Sequence, residues 1–177
     1  MKNIFIFTTL LLTGFVFGQE LKPTTAGQKI SVSYPSSYVK SWDLHDDAML
    51  QMSNSAAEKY NIIIQDEKAG LQAYQLAFNN MEEAIKFYSK GLVEGLEKSK
   101  TSKISTHKIG NNNIAEMTIE GFNFNEETEE KTKIFYLLTL VETPSYYYQI
   151  LSWTLWEYKD KYLNEFKNIA STFKEVD

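Results

Sequence analysis

The chain has no cysteine. It can build neither a disulfide framework nor a thiolate zinc site, and it lacks the residue that lipidation at a signal cut requires. It has no arginine either; all 18 of its basic residues are lysines, set against 23 acids. Arginine supplies the planar fork for bidentate phosphate and guanine contacts. An acidic chain without it is a poor partner for nucleic acid. Histidine occurs twice, never as a pair at four-residue spacing, and no G-x-S-x-G elbow is present. Gly110 precedes three asparagines and a strand, not a helix, so it is no phosphate loop. Past the first 18 residues no stretch is long and apolar enough to cross a bilayer.

The residues that are present begin with an export signal. In MKNIFIFTTLLLTGFVFG, Lys2 is the positive start and Ile4 to Phe17 the apolar run, which falls short of a membrane span. Cleavage between Gly18 and Gln19 leaves 159 residues, a size suited to one domain. Without Lys2 the net charge is −6, with both histidines neutral. No stable membrane insertion is expected after the cut. Without disulfides, the exported domain must rest on its hydrophobic core.

Residues 19–28 are polar and read as a flexible leader. From residue 29 a single domain runs to 177. Ile30, Val32 and Tyr34 alternate with Ser31 and Ser33, the pattern of a half-buried strand. Pro35 has no N–H to donate and ends the ladder. Tyr38 and Trp42 then fold back as a cap over the core edge. Ala48 to Ser53 and Tyr60 to Gln65 read as an antiparallel pair, and Glu67 to Phe78 as an irregular approach to a helix.

Asn80, with Glu83 three residues on, starts that helix. Met81, Ala84, Ile85, Tyr88, Leu92 and Leu96 form its apolar stripe. Gly91 and Gly95 flank the stripe, as close packing on a sheet would explain, and KSKTSK ends the helix. Four strands follow: Ile104 to Ile109, Ile114 to Phe124 with a bulge at Gly121, Ile134 to Glu142, and Tyr146 to Trp153. Ile134 to Glu142 is apolar on both faces and so is central. Thr154 and Glu157 form a capping box for a last helix carrying Tyr162, Leu163, Phe166, Ile169, Ala170 and Phe173. No internal repeat or low-complexity tract interrupts this order.

Several clusters invite a functional reading. His45 stands among Asp43, Asp46 and Asp47, ligand types that suit several divalent metals. Adjacent acids point different ways, however, and oxygen-ligand loops space theirs two apart with a glycine. His107 lies in a strand without an evident nucleophile. Glu126, Glu127, Glu129 and Glu130 read as a solvated hairpin tip that discourages edge pairing. Tyr146, Tyr147 and Tyr148, with Trp153 and Trp156, suggest a carbohydrate or peptide platform. Strand alternation puts Tyr147 opposite Tyr146 and Tyr148, so at most two of the three share a surface.

The succession ISVSYPSSYVKSW, NMEEAIKFYSKGLVEGL, IGNNNIAEMTIEG, and YYYQILSW through FKNIASTF resembles the PsbP, Mog-type and DcrB-like superfamily over residues 29–175. The family's closing Ser/Thr-Phe pair is matched by Thr172 and Phe173. The resemblance implies an α+β fold: an α/β/α sandwich on a mostly antiparallel sheet of six or seven strands, with helices on both faces. It offers no shared catalytic triad and no cofactor.

The expected function is therefore an exported, non-enzymatic accessory or binding domain for a protein partner or small ligand. Its candidate contacts are Trp42, Tyr146, Tyr148 and Trp156. The alternatives are a metal-assisted hydrolase using His45, Asp43 and Asp47, and a structural envelope subunit.

Overall fold

A computed structural model describes residues 20–26, 29–125 and 128–176. The expected signal peptide lies outside them, as do Glu126 and Glu127. Eleven strands and three α-helices follow in the order β1 (Leu21–Ala26), β2 (Ile30–Pro35), β3 (Val39–Lys40), β4 (Ala48–Asn54), β5 (Lys59–Glu67), α1 (Lys68–Ala73), α2 (Met81–Glu94), β6 (Glu97–Thr101), β7 (Ser105–Ile109), β8 (Asn112–Asn125), β9 (Glu130–Glu142), β10 (Tyr146–Leu155), α3 (Lys159–Ser171) and β11 (Lys174–Glu175). The main sheet has eight strands, in the order β3-β4-β5-β10-β9-β8-β6, with β7 also paired to β8. All its pairings are antiparallel. A second sheet, β1-β2-β11, has three strands.

Period-two alternation sets the two faces of the main sheet. Leu138 and Leu140 of β9, Ala115 and Met117 of β8 and Tyr147 of β10 face α2, where Ala84 and Ile85 are buried against them. Val141, Ile114, Tyr148, Ile150 and Ile63 face the other way. There they meet Ile169 and Phe173 at the end of α3, and Ile30, Val32 and Tyr34 of the small sheet. Phe166 and Tyr162 of α3 pack on Leu137. The helices thus seal opposite faces, as expected. β9, between β8 and β10, is buried on both faces and carries the centre of both cores.

Around Tyr60, aromatic side chains of three adjacent strands pack on one another. Tyr60 of β5, Trp153 of β10 and Tyr136 of β9 are cross-strand neighbours on the α2 face. Tyr60 and Trp153 stack with centroids 5.3 Å apart and planes 16° from parallel. Trp153 lies 6.2 Å from Tyr136. Such ladders stabilise antiparallel pairs beyond the area they bury.

Several sequence expectations are corrected. The flexible leader of residues 19–28 is a strand over Leu21–Ala26, antiparallel to β2; Pro23 is tolerated there because β1 is an edge. β2 leaves the main sheet for the small one, since alternation fixes which side chains face inward but not which sheet they join. KSKTSK does not close α2 but forms most of β6, which pairs with β8. Gly121 pairs in register with Ile134 of β9, and the irregularity it marks lies on its other side, in β6, between Glu97 and Lys100. A Cβ there would lie 2.8 Å from Leu96 Cβ and 3.1 Å from the Glu97 carbonyl oxygen, so glycine lets the chain entering β6 cross over β8. Gly91 faces open space, and Gly95 is the C-cap of α2, so neither packs on the sheet.

The Thr154–Glu157 capping box is also absent. β10 continues to Leu155, a 3-10 turn covers Trp156–Tyr158, and α3 starts at Lys159. Thr154 is buried as a strand residue, its hydroxyl without a hydrogen-bond partner among the described residues. At α2 the expected cap holds: Asn80 Oδ1 accepts from the Glu83 N–H at 2.9 Å. The reciprocal bond is shifted by one residue, with Glu83 Oε2 accepting from the Asn79 N–H at 2.9 Å.

Candidate functional site

The β3–β4 connection, residues 41–47, sits at one end of the main sheet and is held by one buried side chain. Gln51, on β4, points its amide into the loop. Its Oε1 accepts from the Leu44 N–H at 2.7 Å and the His45 N–H at 3.3 Å, and its Nε2 donates to the His45 carbonyl at 2.8 Å. The Ser41 N–H donates to the Gln51 carbonyl at 3.0 Å and the Ala48 N–H to the His45 carbonyl at 3.2 Å. The Ser41 hydroxyl donates to Asp43 at 2.9 Å. A glutamine amide that replaces water for three backbone groups fixes a loop lacking regular structure of its own.

That fixed loop presents Trp42 to solvent, 82% exposed, beside Val39 at 62%. Lys40 Nζ lies 6.0 Å from the Trp42 ring centroid. Next to the indole is a cavity of about 180 Å³ lined by Thr25, Ala26, Met49 and Leu50. The expectation that Tyr38 and Trp42 together cap the core is half right. Tyr38 is buried, and its hydroxyl donates to Glu165 at 3.1 Å. Trp42 points outward, on a loop that Gln51 holds at Ser41 before it and at Leu44 and His45 after it.

The other three candidate contacts lie elsewhere. Tyr148 is 1% exposed. Its ring packs 4.8 Å from Phe173, and its hydroxyl donates to Glu175 at 2.9 Å. Burial, then that carboxylate, pushes its phenol above the ordinary range. Tyr148 is thus a core residue, which corrects its assignment to a binding surface. Tyr146 shares its face, 5.8 Å away, while Tyr147 turns to the α2 face, as alternation requires. Tyr146 is half-buried beside Lys29, on a cavity of about 340 Å³.

Trp156 is half-buried at the far end of β10. Its Nε1 donates to Glu120 at 2.6 Å, and Lys133 and Lys159 lie 3.4 and 4.5 Å from its ring centroid. That indole hydrogen bond, with the two lysines, holds the Glu120 carboxyl below the usual range. The ten residues of β10 put Tyr146 and Trp156 roughly 30 Å apart at the strand rise. The four aromatics do not form one surface.

His45, Asp43 and Asp47 do not converge either. His45 is exposed, and its Nδ1 accepts from the Asp47 N–H at 3.2 Å. Among the described residues no group of three or more His, Cys, Asp or Glu is placed to hold a metal ion. His107 is exposed on β7.

Sequence reasoning missed a buried polar cluster under α3. Lys59 Nζ contacts Glu165 at 2.7 Å and lies 4.9 and 4.7 Å from the Tyr38 and Tyr162 rings. Beside it Tyr34 donates to Asn61 Oδ1 at 2.5 Å, and Asn61 Nδ2 to Ser152 at 2.8 Å. The available signal was parity: Lys59 and Asn61 fall on the same strand face as Ile63. A second cluster joins Glu142 to Lys68 at 2.7 Å, Asn113 at 2.8 Å and Tyr147 at 3.2 Å. Burial opposes ionisation of Glu142, but these partners outweigh it and lower the carboxyl. Both clusters pair their charges internally and tie elements together.

Comparison with solved structures finds this architecture in distant proteins. Cyanobacterial PsbP (CyanoP) from Synechocystis superposes with a TM-score of 0.61 at 9% identity, covering 92% of this chain and 96% of its own. The Saccharomyces cerevisiae Ran-binding protein Mog1p gives 0.63 at 12%, covering 90% and 97%. The chain has the PsbP/Mog-like fold. LpqN of Mycobacterium tuberculosis, described as involved in cell envelope biogenesis, gives 0.56 at 11%, covering 89% and 91%. No family model matches the chain, and no curated protein does. At such identities the likeness fixes the PsbP/Mog-like architecture, and function has to be argued from this chain's own surface.

Proposed function

We propose that this chain is an exported, non-enzymatic binding or accessory domain that docks a protein partner at the Trp42 corner. One observation carries the reading: a large indole is held in water by a loop whose backbone is locked by a buried glutamine. Tryptophan is the residue most enriched among interface hot spots. A pre-ordered loop loses little conformational freedom on binding. A merely tolerated surface tryptophan would need no such clamp.

Two further points support the reading. Among structures sharing the fold, one is a Ran-binding protein and another is involved in cell envelope biogenesis, so protein contact and an envelope setting are both compatible with it. Among the described residues no helix is long and apolar enough to cross a membrane. Export rests on the first 18 residues, with cleavage near Gly18–Gln19. A structural envelope subunit would be a special case in which the partner is permanent.

The test is a pull-down from the native envelope with the wild-type protein and with Trp42→Ser in parallel. A protein retained by the wild type and lost from the variant is the expected result. Identical sets retained by both, with the purified wild type and Trp42→Ser also alike in oligomeric state, would overturn the assignment of the corner.

A further inference from the structure

Resting on the reading of the Trp42 corner as a docking surface, we infer that its occupant is the opposite edge of a second copy of this chain. β3 closes one side of the main sheet; β6 and β7 lie in line along the outer side of β8 at the other. The two edges carry opposite charge. Residues 40–47 hold Asp43, Asp46 and Asp47 against Lys40, a net −2, all exposed. Residues 97–109 hold Lys98, Lys100, Lys103 and Lys108 against Glu97, a net +3, again all exposed. Glu97 is already paired with Lys131 at 2.7 Å, while none of those four lysines enters an ion pair among the described residues. On a chain of negative net charge, this lysine edge is the complement of the acidic corner.

Shape complements charge. Between β7 and the start of α2 lies an open cavity of about 580 Å³. Met81 supplies its apolar side chain and His107, Lys108 and Asn113 its polar wall, with Glu82 as the one lining acid. An indole seated there meets apolar atoms on one side and the Lys108 ammonium on the other, contacts that favour tryptophan. Main-chain pairing between the edges is blocked. β3 has two residues, and β6 is broken by a register shift between Glu97 and Lys100, with Lys98 at φ 51°. The contact is therefore made by side chains, Trp42 as the anchor and the acids and lysines around it.

The sheet order puts six inter-strand steps between the two edges, about 29 Å at ~4.8 Å each. The contact joins two unlike surfaces, so association is head-to-tail, closing into a ring if the rotation between copies closes and growing as an open chain if it does not.

Sedimentation velocity of the purified protein tests this. At low salt the weight-average mass should rise with concentration to at least roughly twice the monomer value. It should return to the monomer near 1 M salt, where the Debye length is about 3 Å. A corner variant (Trp42→Ser, Asp43→Asn, Asp46→Asn, Asp47→Asn) and an edge variant (Lys98→Gln, Lys100→Gln, Lys103→Gln, Lys108→Gln), each with the wild-type circular dichroism spectrum, should be monomeric alone. Mixed, they should form a dimer and nothing larger, because each keeps one working surface.

A wild type that stays monomeric at low salt, or mixed variants that fail to pair, overturns the inference. If a monomeric wild type still retains an envelope protein that Trp42→Ser loses, the docking corner stands and its occupant is a different chain. If the wild type assembles and Trp42→Ser assembles equally well, the corner itself is refuted.

Discussion

Glu165→Ala removes one partner of the buried pair that fastens α3 to the sheet, and its cost follows from the geometry. Lys59 is 3% exposed, and its ammonium lies between two tyrosine rings with the Glu165 carboxylate 2.7 Å away. The Glu165 side chain is itself 17% exposed, so water replaces the carboxylate only in part once it is gone. Removing one partner of a buried pair costs about 3–5 kcal/mol, against roughly 0–1 kcal/mol for a surface pair. For a domain of this size each kcal/mol lowers Tm by about 2–4 °C, so the variant should melt about 6–20 °C below the wild type. The companion variant Lys59→Met with Glu165→Leu exchanges both charges for apolar volume. It should recover to within about 1–2 kcal/mol of the wild type, because apolar replacements of buried pairs are often neutral. Urea unfolding of the wild type, Lys59→Met, Glu165→Leu and the double variant closes the cycle, with Glu165→Ala measured beside it. If Glu165→Ala costs under about 1 kcal/mol, the pair behaves as a solvated one and the account of α3 anchoring fails.

Two glycines give opposite predictions in one thermal-melt experiment. Gly121→Ala should destabilise by about 1–3 kcal/mol, since the new methyl meets Leu96 and the backbone at Glu97 and Ser99, which cannot swing away. Gly91→Ala, in an exposed helix interior with nothing near, should stabilise by about 0.5–1 kcal/mol. Burial, then the charge and hydrogen bond of Glu142, pushes the Tyr147 phenol up to about 12. A phenol raised above its unfolded value of about 10 contributes stability below that pH and loses it as pH climbs through the folded value. Urea unfolding between those limits should therefore weaken with pH, and Tyr147→Phe should flatten the slope; an unchanged slope refutes the assignment. Gln51→Leu should speed amide exchange at Leu44 and His45 by about tenfold, because these N–H groups lose their acceptor. Exchange at the wild-type rate would show that the loop is fixed by something else.

Patterns of period two and period 3.6 survive in one dimension, and so most elements were legible. Ile30, Val32 and Tyr34 marked β2, the stripe through Ala84 and Ile85 marked α2, and the doubly apolar run marked β9 as central. The helices on opposite faces followed from those stripes and from the family likeness. β6 was not legible: Glu97–Thr101 has no apolar alternation, and it is a strand only because β8 offers it an edge. β1 was hidden for the same reason, its place set by β2. Among the candidate contacts, the sequence could rank Trp42, Tyr146, Tyr148 and Trp156 only by type.

By itself, then, the sequence determined the chemistries that lack their atoms, the positions of the strongly periodic elements, and which side chains of each strand share a face. These depend on composition and on backbone periods that every residue carries locally. The tertiary structure alone decided that Tyr148 is core while Trp42 stands in water, that Lys59 meets Glu165 across 106 positions, and that acidic and lysine-rich stretches end on opposite edges of one sheet. Burial and pairing are properties of neighbours. The strand order that makes neighbours is set by packing the whole chain at once.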